Sequence, residues 1–258
     1  MANRFEGKVA VVTGAAGGIG RATVDRLARE GARIAAVDID RGALDEVAAG
    51  VRAHGSEMLA IPADVTRAED VRGFLDDAST RFGGVDLLFN NAGIEGVVTP
   101  FEEYPEDVFD RVMAVNVRGV FLGLKYALPR MRARGGGAIV NTSSVAGLTG
   151  NPLVSAYITS KHAVIGLTRS AAMAGAADGV RVNAVCPAPI ETRMMRSLEE
   201  GFAPGAPESV KTMMKTRIPL GRYGTPDEIA AVVAFLFSDD ARYITGAIYP
   251  VDGGMTVG

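Results

Sequence analysis

The fold of this chain is decided by residues 8–20, KVAVVTGAAGGIG, in which a run of apolar residues ends at a cluster of glycines. The apolar run predicts a short strand that is buried on both faces, and the pattern that follows predicts a helix that ends at Gly31. Gly14 permits a tight turn, while Gly18 and Gly20 let a ligand and the sheet come close to the backbone. A strand, a glycine turn and a helix N-terminus in this order predict a site for the pyrophosphate of a dinucleotide.

An acidic residue, Asp38, follows the second predicted strand, about 20 positions after the glycine turn. A carboxylate there can accept hydrogen bonds from both hydroxyls of an adenosine ribose, and it would repel the 2′-phosphate of NADP. Arg41 is the only nearby cation, so we expect NAD rather than NADP; the alternative is a solvated strand end. Asp64, after the third strand, is expected either to accept a hydrogen bond from the adenine amino group or to cap the next helix.

Strands and helices alternate along the chain with a repeat of roughly 25 residues, which predicts a parallel sheet with right-handed connections. One long helix is expected over 105–134, with a kink at Pro129. The predicted strands are 8–13, 33–37, 58–61, 85–89, 138–141, 181–185 and 247–251. The other predicted helices are 44–54, 68–82, one that runs from Leu153 toward Ala177, and 226–238.

The alternation stops at 191–220, a segment rich in methionine, proline and glycine. Because methionine is flexible and apolar, we expect this segment to be a mobile lid over the substrate; filling of the core is the alternative. The chain contains no interdomain linker or low-complexity tract. We therefore expect residues 1–258 to form a single catalytic domain that includes the lid.

A phenol and an ammonium group stand four residues apart at Tyr157 and Lys161. In a helix the two side chains would lie on one face, one turn apart. A charge at about 5 Å, in an effective dielectric of about 20, contributes roughly 3 kcal/mol, on the order of 2 pKa units. We therefore expect Lys161 to lower the pKa of Tyr157 enough for proton exchange near neutral pH. On its own, this spacing also fits an ordinary surface helix.

Further short motifs occur in the order and spacing of one known family and span nearly the whole chain. They are 13–20, Asp64-Val65, Asn90-Asn91-Ala92-Gly93, Asn116, Ser144, Tyr157-Ile158-Thr159-Ser160-Lys161 and 187–192. With these motifs the chain resembles the short-chain dehydrogenase/reductase family. The resemblance implies an α/β fold with a Rossmann-type, doubly wound sheet of seven parallel strands and helices on both faces. It also implies nicotinamide chemistry and, usually, a homotetramer.

The resemblance extends to individual site residues. The catalytic residues that it implies are Asn116, Ser144, Tyr157 and Lys161. The expected cofactor contacts are Gly14, Gly17, Gly18, Ile19, Gly20, Asp38, Ile39, Asp64, Val65, Asn91, Ala92, Gly93, Tyr157, Lys161, Pro187, Ile190 and Thr192. For Asn91 and Gly93 the alternative is that they only shape the loop after the fourth strand, and Asn116 could simply bind backbone groups.

Two positions need a choice or a comment. Ser143 and Ser144 are adjacent and would point to opposite faces of a strand, so only one can meet Tyr157. The spacing usual in the family selects Ser144. Ala188 follows Pro187 where the family often has glycine, and its methyl group should lie near the nicotinamide.

Composition and charge exclude several classes of function. The net charge of −3 gives no electrostatic case for binding nucleic acid or an anionic membrane. We find no signal peptide, no apolar run long enough to span a bilayer, and a single cysteine, Cys186, so we expect a cytoplasmic protein. His54 and His162 lack metal-ligand spacing, and we predict no metal site.

The leading hypothesis is an NAD-dependent enzyme that interconverts a secondary alcohol and a ketone, with an apolar and possibly cyclic substrate. Methionines of the lid and Leu148 suggest an apolar pocket, and Glu95 suggests one acidic wall. The enzymatic alternative is a 3-oxoacyl thioester reductase, for which Arg130, Arg132 and Arg134 could form a basic docking patch. A catalytically silent dinucleotide-binding regulator is the alternative outside enzymes.

Overall fold

The computed structural model describes residues 3–257 and contains one sheet of seven parallel strands. The strands are β1 Val9–Thr13, β2 Arg33–Asp38, β3 Met58–Pro62, β4 Leu87–Asn90, β5 Gly137–Thr142, β6 Val180–Pro187 and β7 Ile248–Val251. Their spatial order is β3-β2-β1-β4-β5-β6-β7, and β1 pairs with both β2 and β4. The order reverses between β1 and β4, so the crevice beyond the carboxyl ends of these strands is where ligands of such sheets bind. The predicted fold class is confirmed.

Helices cover both faces of the sheet and bury its apolar side chains. They are α1 Gly18–Arg29, α2 Arg41–Ala53, α3 Ala68–Phe82, α4 Glu106–Met113, α5 Gly119–Ala133, α6 Ser155–Gly175, α7 Arg193–Phe202, α8 Pro207–Thr216 and α9 Pro226–Phe237. One core cluster joins α1, α2 and α9 to the sheet, and the other joins α3, α5 and α6. Strands that are buried on both faces explain the continuous apolar runs in the sequence.

The segment predicted as one helix is interrupted at its centre. Between α4 and α5 the backbone forms a π-helical turn over Ala114–Arg118, and Pro129 lies inside α5. A π turn inserts one extra residue per turn and redirects the side chains that follow it, and such turns occur frequently at functional sites. Asn116 lies in the middle of this turn.

The lid segment contains helices, which the sequence analysis did not predict. Thr192 caps α7 by accepting a hydrogen bond from the N–H of Met195 at 3.3 Å, and α8 begins at Pro207. Proline at the first position and a threonine cap are ordinary helix starts, and the surrounding glycines and prolines concealed them. Of the helices in residues 3–257, none is long and apolar enough to cross a membrane.

Candidate active site

The glycine turn after β1 brings three backbone segments into contact. Gly14 has φ of +62°, and a Cβ atom on it would lie 2.9 Å from the Cα atom of Ala92. A Cβ atom on Gly20 would overlap the carbonyl oxygen of Gly14, and one on Gly18 would lie 2.9 Å from Cγ2 of Thr192. Side chains are therefore excluded here, and the crevice floor consists of backbone.

Helix α1 begins directly at this turn without a side-chain cap and without an acidic residue in its first turn. Its free N–H groups and the positive end of its dipole therefore remain available for an anion. Gly17, Gly18 and Ile19, at the start of the helix, line the main cavity of the protein. These features fit the pyrophosphate of a dinucleotide.

Asp38 is held at the end of β2 by two backbone groups. Its Oδ2 accepts a hydrogen bond from the N–H of Ala16 at 3.0 Å, and its Oδ1 accepts one from the N–H of Asp40 at 3.2 Å. Each oxygen keeps a lone pair for a further donor. Arg41, the only cation near it in the sequence, lies 3.5 Å from Asp45. The carboxylate thus has the geometry to accept ribose hydroxyls.

Asp64 does not cap helix α3, whose N-cap residue is Arg67. Its Oδ1 instead accepts a hydrogen bond from the N–H of Thr66 at 2.8 Å, which fixes the turn after β3. Asp64 and Val65 both line the cavity beside Asp38. Of the two alternatives for Asp64, the helix cap is excluded.

Asn91 and Gly93 shape the loop after β4. The Asn91 amide donates to the carbonyls of Thr13 and Gly14, both at 3.2 Å, and its Oδ1 accepts from the Thr142 hydroxyl at 3.2 Å. A Cβ atom on Gly93 would lie 3.2 Å from Oδ1 of Asn116 and 3.5 Å from Nζ of Lys161. Glycine at this position lets the two polar side chains approach.

Asn116 is fully buried and uses its whole side chain for protein contacts. Its Oδ1 accepts from the N–H of Ile94 at 2.8 Å, and its Nδ2 donates to the Ile94 carbonyl at 2.9 Å and to the Ser160 hydroxyl at 3.0 Å. The residue joins the loop after β4 to helix α6, which carries Tyr157 and Lys161. Asn116 does not line the cavity, and neither does Gly20.

The two adjacent serines have different partners. The Ser143 hydroxyl donates to the backbone carbonyl of Lys161 at 2.8 Å, which fastens β5 to α6. The Ser144 hydroxyl donates to the Pro187 carbonyl at 3.4 Å and accepts from the N–H of Ala146 at 3.1 Å, and its position beside Tyr157 acts to lower the pKa of the tyrosine. Ser144 is therefore the serine beside the phenol, as the spacing predicted.

Lys161 is buried, and no carboxylate of residues 3–257 forms an ion pair with it. Its Nζ donates to the Thr142 carbonyl at 2.9 Å and lies 5.4 Å from the centre of the Tyr157 ring. Burial lowers the pKa of Lys161 to about 8. The amine therefore stays mostly protonated at neutral pH but loses its proton at a lower pH than a free lysine does.

Burial raises the pKa of Tyr157 to about 12, and the nearby charge of Glu95 adds to the rise. We expected Lys161 to lower this pKa by about 2 units, and that expectation is wrong for the protein's own groups. Desolvation of a buried phenolate outweighs the hydrogen bond from Ser144. At neutral pH the phenol therefore holds its proton and can donate it.

One cavity of about 1280 Å³ contains nearly all of the predicted site. Apart from Gly20 and Asn116, every predicted catalytic and cofactor-binding residue lines it. Its other end is lined by apolar residues of the lid, Met194, Met195, Leu198, Phe202 and Met214. Glu95, predicted as an acidic wall, is not among the lining residues.

The sequence analysis missed several residues of this cavity. The Thr142 carbonyl binds Lys161, and no side-chain motif indicates a carbonyl. Arg217 and the segment 255–257 also line the cavity. Their positions depend on how the chain folds back after α8 and β7, for which the sequence contains no signal. Within residues 3–257, no cluster of three or more His, Cys, Asp or Glu side chains could hold a metal ion.

Comparison with known proteins agrees with this geometry. A family model described as enoyl-(acyl carrier protein) reductase matches residues 14–256. Levodione reductase from Leifsonia aquatica is 42% identical over 255 residues, which cover 98% of this chain and 96% of that protein. A crystal structure of levodione reductase matches with a TM-score of 0.96 and 41% identity, covering 98% of this chain and 99% of the other.

Two further proteins are similar over almost their whole length. Cyclohexanol dehydrogenase from Acinetobacter sp. (strain SE19) is 42% identical over 256 residues, which cover 99% of this chain and 98% of that protein. The crystal structure of NAD⁺-bound xylitol dehydrogenase matches with a TM-score of 0.92 and 42% identity, covering 97% of this chain and 99% of the other.

Proposed function

Because the chain belongs to the short-chain dehydrogenase/reductase family and is an oxidoreductase that acts on CH–OH groups, we propose that it interconverts cyclic secondary alcohols and ketones with NAD(H). One observation supports this most directly. Ser144, Tyr157 and Lys161 meet at a cavity that has the glycine turn at one end and an apolar lid at the other. Levodione and cyclohexanol, which the relatives' names give, are cyclic compounds of that kind.

The residues of the cavity have different roles in the proposed reaction. A bound nicotinamide supplies the acceptor or donor of the hydride. Tyr157 donates a proton to the ketone oxygen in reduction and removes the hydroxyl proton in oxidation, while Ser144 holds the same oxygen by a hydrogen bond. Lys161, whose Nζ lies 5.4 Å from the centre of the Tyr157 ring, would hold the ribose of the nicotinamide nucleotide. Asn116 is a positioning residue, because it fixes the loop after β4 against the helix that carries Tyr157 and Lys161.

The choice of NAD over NADP rests on Asp38. Its carboxylate lines the cavity, and the cation nearest in sequence, Arg41, lies beside Asp45. A 2′-phosphate would meet a negative charge without a compensating positive one. The remaining cofactor contacts are proposed for the cavity-lining residues predicted from the sequence, and Gly20 acts by close packing.

The lid is proposed for 191–220, with α7 and α8 as its two covering elements. Their methionines and Phe202 give the substrate end an apolar surface that adapts to the shape of a ring. The single catalytic domain and the cytoplasmic location stay predictions.

The basic docking patch suggested for a thioester reductase is not available, because its three arginines form ion pairs. Arg130 pairs with Asp76, Arg132 lies 2.6 Å from Asp178, and Arg134 lies 3.2 Å from Asp86. These three arginines are neutralised at the protein surface and do not form a free basic patch. The silent-regulator alternative does not explain why Ser144, Tyr157 and Lys161 meet at one cavity.

A homotetramer is also proposed, as the family resemblance implies. Helices α5 and α6 carry exposed apolar side chains, and Phe121 and Met173 are 45% and 84% exposed. Subunit contacts would cover such residues. Sedimentation equilibrium should give four times the chain mass, and a monomer would contradict the proposal.

The test of function is turnover measured by the absorbance of NADH. Cyclohexanol and ring-substituted cyclohexanols with NAD⁺ should be oxidised, and the corresponding ketones should be reduced with NADH. Preference for NADPH with acyl thioesters would favour the thioester reductase. Binding of NADH without turnover of any alcohol or ketone would favour the silent regulator.

A further inference from the structure

The charged residues that line the cavity are distributed unevenly. The carboxylates are Asp38, Asp40 and Asp64, which follow β2 and β3 at the adenosine end. Within residues 3–257, the lid end of the lining contains no carboxylate but two arginines, Arg193 and Arg217. An apolar pocket with cations and no anion favours a substrate that carries negative charge.

The two arginines have different surroundings. Arg193 directly follows Thr192, whose methyl group faces the glycine turn, so it belongs to the cofactor side of the lid. Arg217 caps the C-terminal end of α8, three residues after Met214. Residues three apart on a helix share a face, and both Met214 and Arg217 line the cavity. Arg217 is therefore the cation on the substrate side.

The backbone around Arg217 is fixed. The N–H of Arg217 donates to the Met214 carbonyl at 3.1 Å, and the next residue, Ile218, is buried beside Met195. Two residues further on, the N–H of Leu220 donates to a carbonyl of the segment after β7 at 3.1 Å. A long side chain on a fixed backbone loses less freedom when it binds a ligand.

Two other cations of the lid already have partners, whereas Arg193, Lys215 and Arg217 form no ion pair among residues 3–257. Arg196 and Lys211 both pair with Glu191, and Arg196 also lies 3.0 Å from Glu199. No carboxylate of these residues lies within ion-pair distance of Arg217. Its guanidinium is free to bind an anion that enters the cavity.

We propose that Arg217 determines substrate specificity by binding a carboxylate on the ring, remote from the hydroxyl group that exchanges its proton with Tyr157. The inference rests on the proposed function and narrows its substrate class to cyclic hydroxy acids and the matching keto acids. The planar guanidinium presents paired N–H donors that match the two oxygens of a carboxylate. Arg217 is itself exposed, so water screens the pair and its strength is that of an ion pair at the protein surface.

A binding experiment that involves no reaction tests the proposal. The probes are cyclohexanecarboxylate and cyclohexanecarboxamide, which share a ring but differ in charge, titrated calorimetrically into the enzyme–NADH complex. The wild-type complex should bind the acid about threefold more tightly than the amide. Arg217→Gln should remove this difference, whereas Arg217→Lys should retain part of it because the charge stays.

Lys215→Gln is the matched control, because it removes the same charge from α8 at a position that does not line the cavity. It should leave the preference for the acid unchanged. The same preparations are assayed with cyclohexanol, whose turnover should be the same in the wild type and in Lys215→Gln. Melting temperatures verify that the variants are folded.

Two outcomes overturn the proposal while leaving the proposed function intact. One is equal binding of acid and amide by a wild type that oxidises cyclohexanol. The other is loss of acid binding in Lys215→Gln as large as in Arg217→Gln, which would indicate a diffuse charge effect. Absence of turnover with every cyclic alcohol and ketone, neutral or charged, would instead overturn the proposed function and this inference with it.

Discussion

The glycine turn and the lid lie at the two ends of one cavity, but they are built in different ways. At the glycine turn, backbone meets backbone, and added Cβ atoms on Gly14 or Gly20 would collide with neighbouring main chain. In the lid, side chains make the contacts: methionines line the cavity and charged residues join α7 to α8. The backbone contacts permit only one geometry at the glycine turn, whereas single substitutions can alter the side-chain contacts of the lid.

The ion pairs of the lid illustrate the second kind of construction. Glu191 pairs with Arg196 and, at 2.8 Å, with Lys211, so it ties the start of α7 to α8. Glu199 is 0% exposed and lies 3.0 Å from Arg196. Burial and the nearby Glu199 carboxylate raise the pKa of Tyr223. The cationic groups of Arg196 and Lys211 lie over the ring of this tyrosine. Burying a carboxylate costs free energy unless it is paired, so this arrangement depends on every partner. The comparison predicts that changes at the turn affect the cofactor and that changes in the lid affect the substrate.

The largest effect is expected at the phenol of Tyr157, which lies between the glycine turn and the lid. Tyr157→Phe should lower kcat by about 10³-fold or more, because the group that exchanges the proton is removed. NADH affinity should stay close to that of the wild type, as measured by fluorescence titration. Tyr243→Phe, at a fully exposed position, is the control and should be neutral. Turnover by Tyr157→Phe at near-normal rates would refute the assignment.

The pH dependence should differ between the two directions. Since the protein raises the pKa of Tyr157 to about 12, the ionised fraction increases with pH throughout the physiological range. Alcohol oxidation needs the ionised phenol, so its rate should rise by up to about tenfold per pH unit. Ketone reduction needs the protonated phenol and should not increase. Initial rates in both directions between pH 6 and about 9 test this, and identical profiles would contradict it.

Substitution at the glycine turn should weaken cofactor binding. Gly20→Ala places a methyl group against the Gly14 carbonyl, so α1 must move away from β1. NADH affinity should fall by about tenfold or more and the melting temperature should drop by several degrees. Gly50→Ala, where no atom lies within 4 Å of an added Cβ atom, is the control. It should leave cofactor affinity unchanged and slightly stabilise α2.

The preference for NADH over NADPH should fall by about tenfold in Asp38→Asn, since the charge that repels a 2′-phosphate is removed. The asparagine oxygen can still accept the hydrogen bond from Ala16. The ratio of kcat/KM values for the two cofactors measures the effect. Asp77→Asn, which removes a charge from an exposed position of α3, should leave that ratio unchanged. An unaltered ratio in Asp38→Asn would exclude the carboxylate as the discriminating group.

The smallest effect is expected in the lid. Glu199→Gln removes one of the two carboxylate partners of Arg196 and should raise KM for the alcohol several-fold, about 1 kcal/mol, without changing NADH affinity. Glu208→Gln, an exposed substitution at the start of α8, is the control. If Glu199→Gln weakened cofactor binding and left KM unchanged, the assignment of the glycine turn to the cofactor and of the lid to the substrate would be wrong.

Much of this protein could be predicted because its signals are local. The apolar runs, the glycine spacing and the acidic residue at the end of β2 depend on neighbours in sequence, and they predicted the four strands between residues 8 and 90 and the glycine turn that follows the first of them. The spacing of Tyr157 and Lys161 likewise predicted that these two side chains meet. Each of these features follows from backbone sterics or helix periodicity, which act over a few residues. Ser144, by contrast, was implied by the family resemblance.

Other features were decided only by the tertiary structure. The π turn at Asn116, the helices of the lid and the place of Arg217 in the cavity depend on segments distant in sequence that pack together. The pKa of Tyr157 is the clearest case, because the sequence shows a lysine one turn away but not how much water is excluded. Desolvation is a property of the whole surrounding volume, and it raises the pKa of Tyr157 with no offsetting effect from the lysine that the sequence revealed.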